Sequence, residues 1–349
     1  MNQLDPESFL HASLTMPVAD VRSPAEFEAG HIPGAFNLPL FDNEERARVG
    51  TLYKQTGRMA ALELGFDLVG PKMSEMVRAA RRMAPKGEML LYCWRGGMRS
   101  ASMAWLLETA GIRTNLLTGG YKAYRSHIRE NLVTRRKFII LGGMTGSGKT
   151  LCLKGLKEIG EPVIDLEALA VHRGSVFGAI GLGPQPTNEQ FENELFKELQ
   201  CFQPEEMIWL EDESRQIGRV YMPEIFYQAM ISSPLIQIVV PESVRTQVIL
   251  DEYAGLEPTS LIRAVEKISR RLGGLTTQRV IASIDEGRFR DAVELLLPYY
   301  DKTYGHSFKS RPEQPVYVLD LTGISVSGYP DAIIKKKSSL VQYRGNQGR

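Results

Sequence analysis

The sequence predicts an α/β protein of two domains with mostly parallel sheets, on three observations. Short apolar runs alternate along the chain with stretches of helical period. Two glycine-rich segments, YCWRGGMRS at 92–100 and GGMTGSGKT at 142–150, each stand between such a run and such a helix. The 349 residues, 43% hydrophobic and 24% charged, suffice for two cored domains of ordinary soluble composition.

The charged stretch RENLVTRRK at 129–137 separates the halves, which places a first domain at 1–133 and a second at 134–325. A basic tail, 326–349, follows and is expected to stay mobile. In the second domain, residues 138–141, 162–164, 207–210, 235–240 and 316–319 read as buried strands of a parallel sheet. NEQFENELFKELQCF at 188–202 sets Phe191, Leu195, Phe196, Leu199 and Phe202 at helical spacing, which predicts a packed helix with Cys201 as core filler.

With 42 basic against 41 acidic residues, no global field recruits a partner, so a nucleic acid must be met by local clusters. One such cluster is Lys122, Arg125, Arg129, Arg135, Arg136 and Lys137; a second is Arg263, Lys267, Arg270, Arg271 and Arg279. No run approaches the ~18 to 20 apolar residues of a membrane span, and the first residues lack a basic-then-apolar leader, so no membrane is involved and the protein is expected to be cytoplasmic. Three cysteines without a CxxC pair argue against a disulfide framework and a structural zinc site.

Cys93 ends the run EMLLYC, and residues 94–99 turn tightly into a helix. Gly96 and Gly97 let consecutive amides converge, the helix adds its positive end, and Arg95 and Arg99 add charge. Trp94, Gly96, Gly97 and Met98 thus form an anion cradle around a sulfur held as a nucleophilic thiolate, with Cys93, Arg95 and Arg99 as the catalytic candidates.

The second segment is a P-loop: Gly143, four residues (Met144, Thr145, Gly146, Ser147), then Gly148-Lys149-Thr150, between strand and helix. Its amides would cradle a di- or triphosphate, Lys149 would hold terminal oxygens, and Thr150 is placed to ligate Mg²⁺. Cys152, on the first turn of the helix, reads as structural. The strand at 207–210 runs into EDESR, where Asp212 or Glu211 would hold the metal, directly or through water. Asp165, Glu167, His172, Arg173 and Ser175 add polar groups at the sheet's carboxyl edge, where open α/β sheets bind ligands.

VADVRSPAEFEAGHIPGAFNLPL at 18–40, the Cys93 loop and LLTGGYKAY at 116–124 together resemble the rhodanese family. The resemblance implies an N-terminal rhodanese-like domain that carries sulfur or selenium as a persulfide or selenosulfide on Cys93, and it assigns Asp20, Arg22 and His31 to the scaffold. Cys93 to Arg99 is CxxxxxR, one residue longer than the sulfur-carrying loop and like the loop of rhodanese-fold phosphatases. Two readings stay open at this point: a phosphatase whose cysteine attacks phosphorus, or a chalcogen carrier fed by a phosphate-like donor.

ERARVGTLYKQTG at 45–57, DLEALAVHRGSVFG at 165–178 and EDESRQIG at 211–218 extend the likeness, and the chain resembles the tRNA 2-selenouridine synthase family over nearly its whole length. That resemblance implies a transferase acting on 2-thiouridine at the tRNA wobble position, which geranylates the sulfur and then replaces the S-geranyl group with selenium from selenophosphate. It implies that the loop at 94–98 binds selenophosphate and that the P-loop holds geranyl diphosphate. The wobble base would be splayed out, with Tyr121 or Tyr124 as stacking candidates. A P-loop kinase with a regulatory rhodanese domain, or a CxxxxxR phosphatase, each explains one motif and leaves the other idle.

Overall fold

The computed structural model describes the backbone of residues 2–309 and 315–347 and the side chains of 2–304 and 315–339. Two compact units emerge, Met1–Leu132 with Glu192–Lys197, and Val133–Phe191 with Glu198–Arg349.

In the first unit the order is β1 (Asn2–Leu4), α1 (Pro6–Ser13), β2 (Val18–Asp20), α2 (Pro24–Ala29), β3 (Phe36–Asn37), α3 (Asn43–Gln55), α4 (Arg58–Val69), α5 (Met73–Met83), β4 (Glu88–Tyr92), α6 (Met98–Thr109), β5 (Arg113–Leu117) and α7 (Gly120–Asn131). The helices start where side chains satisfy free amides: Asp5 accepts from Ser8 N at 2.9 Å, and Asp42 and Glu45 bond reciprocally at 2.8 and 2.9 Å. The sheet runs β1-β5-β4-β2-β3 with every pair parallel. Its central strand β4 is buried from Met89 to Tyr92, which explains the unbroken apolar run before Cys93.

Asp20 and Arg22 hold this scaffold. Their ion pair, at 2.6 Å, is 0% and 1% exposed; Arg22 also donates to Gly30 O at 2.6 Å and lies 3.9 Å from the centre of the Tyr121 ring. The His31 ring stacks on Phe27 at 3.8 Å.

The second unit comprises β6 (Lys137–Gly142), α8 (Lys149–Glu158), α9 (Leu166–Leu169), α10 (Asn188–Gln200), β7 (Met207–Glu211), the hairpin β8 (Gln216–Ile217) and β9 (Val220–Tyr221), α11 (Glu224–Ile231), β10 (Leu235–Val239), α12 (Glu242–Tyr253), α13 (Pro258–Leu272), α14 (Gly274–Asp285), α15 (Phe289–Lys309), β11 (Val316–Asp320) and α16 (Tyr329–Gln347). Its sheet is β11-β10-β6-β7, again all parallel. Val265, Val280, Ile284 and Leu296 form a separate apolar core among α13, α14 and α15.

Four expectations are corrected. Residues 162–164 make only one parallel bridge, Val163 to Trp209, because the segment turns away at once into α9. β11 is an outer edge, with Val316 and Val318 40% and 59% exposed, so its apolar run does not mark a buried strand. The expected mobile tail is a short turn followed by α16, whose Tyr329 and Ile333 are 1% and 0% exposed in the sheet core; residues 348–349 lie outside the described residues. Cys201 caps the end of α10 and is exposed, beyond the packed stripe of Phe191, Leu195, Phe196 and Leu199. Cys152 is buried, which pushes its thiol up to about 12.

The middle of α10, Glu192–Lys197, packs with the first unit. Asn193 donates to His31 O at 2.8 Å and to the Tyr121 hydroxyl at 2.7 Å, and Arg125 donates to Asn193 at 2.5 Å and to Glu192 at 2.7 Å.

Candidate active site

Cys93 leaves β4 at the sheet's carboxyl edge, and its sulfur lies 3.2 Å from the hydroxyl of Ser100, in the first turn of α6. Ser100 is fully buried and also bonds Gly97 O at 3.1 Å. The loop is clamped from below: Tyr121 N donates to Cys93 O at 2.8 Å and Lys122 N to Trp94 O at 3.0 Å. A Cβ at Gly96, whose φ is +62°, would sit 2.8 Å from Leu117 O, and one at Gly120 would collide with the Cys93 carbonyl. With its carbonyls used, the loop keeps its donors. Among the described residues no acceptor takes the backbone N–H of Trp94, Arg95, Gly96 or Gly97, and a row of free amides at a helix start is an anion site.

The two arginines differ. Arg95 is exposed and has no ion-pair partner among the described residues, whereas Arg99 is held by Glu26 at 2.6 and 3.4 Å. Against the cost of its burial, Arg99 keeps the Glu26 carboxyl ionised and lowers it to about 2, with help from Arg46 at 3.3 Å.

In the second unit the P-loop follows β6. Gly146 and Gly148 take φ of +78° and +80°, conformations that open the loop and leave the amides of Thr145, Gly146, Gly148 and Lys149 without protein acceptors among the described residues. Ser147 Oγ is buried with no hydrogen-bond partner among the described residues, and Lys149 Nζ rests on Gly143 O at 2.8 Å. Arg245, 5% exposed, braces the loop through Thr145 O at 2.9 Å and pairs with Asp301. From the P-loop a cavity of about 650 Å³ extends along Phe177, Val248, Leu261, Ile284, Phe289 and Leu296. One end carries Lys149, a row of N–H groups and the carboxyls of Glu167, Asp212 and Glu213, and the other is largely hydrocarbon.

Two carboxylates face this junction: Glu167, which the sequence placed among the polar groups of the sheet's carboxyl edge, and Glu213, which it did not single out. They converge at Gly174, where an added Cβ would lie 2.7 Å from Glu167 Oε1 and 2.8 Å from Glu213 Oε1. Burial first, then the neighbouring Glu213, pushes Glu167 up to about 8, and burial raises Glu213 as well. Glu167 Oε2 is 3.5 Å from the Thr150 hydroxyl. Of the residues singled out beforehand, Glu211 and Asp212 line the cavity, and Arg173 lines it in an ion pair with Glu252 at 2.9 Å. Glu211 is 3% exposed, is raised well above the ordinary carboxyl range by burial, and accepts from Glu167 N at 2.7 Å. Asp212 accepts from the Tyr304 hydroxyl at 3.0 Å. Asp165 caps α9, and His172 packs under Gly178 and Gly218; neither lines the cavity. Among the described residues no three His, Cys, Asp or Glu side chains form a metal-binding group.

The predicted RNA contacts are redistributed. Tyr121 and Tyr124 are 0% and 1% exposed and cannot stack on a base. Arg125 is buried against Glu192 and Asn193, Arg136 is half-buried on Phe202 O at 2.8 Å, and Lys137 pairs with Glu205 at 2.5 Å. Lys122, Arg129 and Arg135 remain exposed. The second cluster fares better: Lys267, Arg270 and Arg271 are exposed, carry no ion pair among the described residues, and line a cavity of about 590 Å³ with Tyr299 and Tyr300. Ser175 and Tyr300 line both this cavity and that of the P-loop.

A clamped loop cysteine on one parallel α/β unit and a P-loop opening on an apolar cavity in the other define a two-domain protein of rhodanese and P-loop type. Residues 8–127 match the rhodanese-like domain, and residues 136–325 match the AAA domain of tRNA 2-selenouridine synthase. The tRNA 2-selenouridine synthase of Bdellovibrio bacteriovorus is 39% identical, with 85% of this chain and 90% of that protein covered. That of Bordetella bronchiseptica is 37% identical, with 87% and 91% covered. Among solved structures, the N-terminal domain of a putative ATP/GTP binding protein from Clostridium difficile is 37% identical over 36% of this chain and 98% of its own, with a TM-score of 0.33. The chain belongs to the tRNA 2-selenouridine synthase family.

Proposed function

We propose that this enzyme converts wobble 2-thiouridine in tRNA to 2-selenouridine through an S-geranyl intermediate, using geranyl diphosphate and selenophosphate. The observation that carries this reading is the P-loop cavity. Past the phosphate end the cavity continues along Phe177, Leu261, Ile284, Phe289 and Leu296, a wall suited to a hydrocarbon chain. A diphosphate bearing a branched hydrocarbon matches both ends. The thiouridine sulfur bonds to the allylic carbon as its C–O bond breaks, and the free amides with Lys149 stabilise the charge gathering on pyrophosphate. Thr150, Glu167 and Glu213 would hold Mg²⁺ there, which would neutralise the same charge. In the second step selenium adds at C2 of the pyrimidine and the geranyl thiolate leaves. The names of the relatives support the tRNA substrate, and Lys267, Arg270 and Arg271, beside Tyr299, are exposed cations that its phosphates would meet.

The test is Lys149→Ala. Geranyl transfer to thiolated tRNA should fall about a hundredfold, the effect of losing one preorganised charge-stabilising donor. Supplied with tRNA already S-geranylated, the same variant should still make selenouridine, since no pyrophosphate leaves in that step. If Lys149→Ala spares geranylation, or if the wild type needs ATP hydrolysis for it, the kinase reading replaces this one.

A further inference from the structure

We infer that Cys93 releases selenium from its donor by attacking phosphorus, so that the loop forms a phosphocysteine and liberates selenide, rather than taking selenium onto its own sulfur. This rests on the reading of selenophosphate as donor and specifies what the loop does with it.

The first argument is the loop's composition. Cys93, five residues, Arg99 and then Ser100 enclose a length of backbone that suits a tetrahedral anion, and the amides of residues 94–97 are free to bind three equatorial oxygens. Arg95 supplies an exposed cation with no ion pair among the described residues, and Glu26 fixes the direction of Arg99 at the loop's end. Glu26 is therefore a positioning residue. A carrier of one chalcogen atom presents a single acceptor to these donors, whereas a phosphoryl group presents three oxygens.

The second argument is Ser100. Its hydroxyl is fully buried, 3.2 Å from the Cys93 sulfur, on the face of α6 that turns inward. Its proton rests on Gly97 O at 3.1 Å, and rotation of the hydroxyl would turn that proton toward a sulfur anion. That is useful twice: when the thiolate waits to attack, and when it must depart from phosphorus.

The third argument is electron balance. In selenophosphate the selenium is already at the selenide level and the phosphorus is that of phosphate. Moving selenium onto the thiolate with the P–Se bond breaking toward phosphorus would expel a phosphite, a two-electron reduction of phosphorus for which a phosphate cradle offers nothing. Attack on phosphorus needs no redox partner. The S–P bond forms as the P–Se bond breaks, its electron pair leaves on selenium, and a solvent proton makes hydrogen selenide. Water then attacks the phosphocysteine, the S–P pair returns to sulfur beside Ser100, and orthophosphate departs. Selenide is the nucleophile that the second step of the tRNA reaction requires.

The experiment mixes the full-length protein with selenophosphate and S-geranylated tRNA, quenches it in milliseconds to seconds, and analyses the Cys93 peptide by mass spectrometry. Phosphoryl and selenium adducts are close in nominal mass, but phosphorus is monoisotopic and selenium carries a broad isotope envelope. A monoisotopic adduct on Cys93 is expected, with orthophosphate and selenium released in equal amounts. In Ser100→Ala the adduct should accumulate because its hydrolysis slows about 100-fold; Cys93→Ser, with thermal unfolding as the folding control, should form neither adduct nor product. A selenium envelope on Cys93, or phosphite among the products, overturns the inference and leaves the donor reading intact. If wild-type enzyme consumes no selenophosphate and tRNA gains no selenium, the donor reading fails and the inference falls with it.

Discussion

The Glu167 and Glu213 pair makes the stability of the P-loop unit fall as pH rises. Unfolded, Glu167 loses its proton near 4.5; folded, it keeps it to about 8. Between those values the unfolded chain binds fewer protons, so unfolding releases one and is favoured by alkali. The stabilising effect is complete below 4.5 and is lost as pH rises to about 8. One proton corresponds to about 1.4 kcal/mol per pH unit, which sets a ceiling of about 5 kcal/mol across that window. Glu213 shares the proton and part of the cost, so about 2 kcal/mol between pH 5 and 8 is the expected loss. Trp209 is buried in β7 and is the one tryptophan of the second unit, so replacing Trp94 and Trp105 by Phe lets fluorescence follow that unit alone in urea. The wild-type side chains at 167 and 213 should give a falling midpoint from pH 5 to 8, and Glu167→Gln should reduce the fall to the remainder left by Glu211 and Glu213, which burial also raises. Equal slopes in the two proteins, or a wild type that gains stability toward pH 8, would refute the reasoning.

Replacing Lys267, Arg270 and Arg271 together by Ala should weaken tRNA binding and make its log-log salt slope shallower by about 2 to 2.7, at ~0.7 to 0.9 per phosphate contact, as read by filter binding at several salt concentrations. An unchanged slope would return those cations to the solvent. Asp20→Asn should destabilise the first unit by about 3 to 5 kcal/mol in thermal or urea unfolding, since it leaves the guanidinium of Arg22 buried and half-compensated.

Both chemical motifs were legible because each is a contiguous run whose residues act within one turn: Gly143 to Thr150 on α8, and Cys93 to Ser100 on α6. Their partners were not. Glu26 lies 73 residues from Arg99, and Glu167 meets Glu213 only once the start of α9 stands beside the end of β7, so no local pattern marks either pairing. The cations show where period would have helped. Arg125 shares the buried face of α7 with Tyr121, Tyr124 and Ile128, spaced as a helix spaces its core residues. Lys267 and Arg270 lie opposite Leu261, Ala264, Val265 and Ile268 on α13, so the same rule that buries Arg125 exposes them. Sorting each basic residue by helical face, rather than by proximity in sequence, separates the two clusters.

The excursion of α10 has a consequence for how the chain is made. A ribosome adding ~5 to 20 residues per second spends roughly 3 to 13 s between Leu132 and Lys197, the last residue of the first unit. Throughout that interval Arg125, the Tyr121 hydroxyl and the His31 carbonyl await Glu192 and Asn193. The domain that begins the chain therefore closes its polar network only after the P-loop and α8 have emerged, so its completion falls in the middle of the synthesis of the second half.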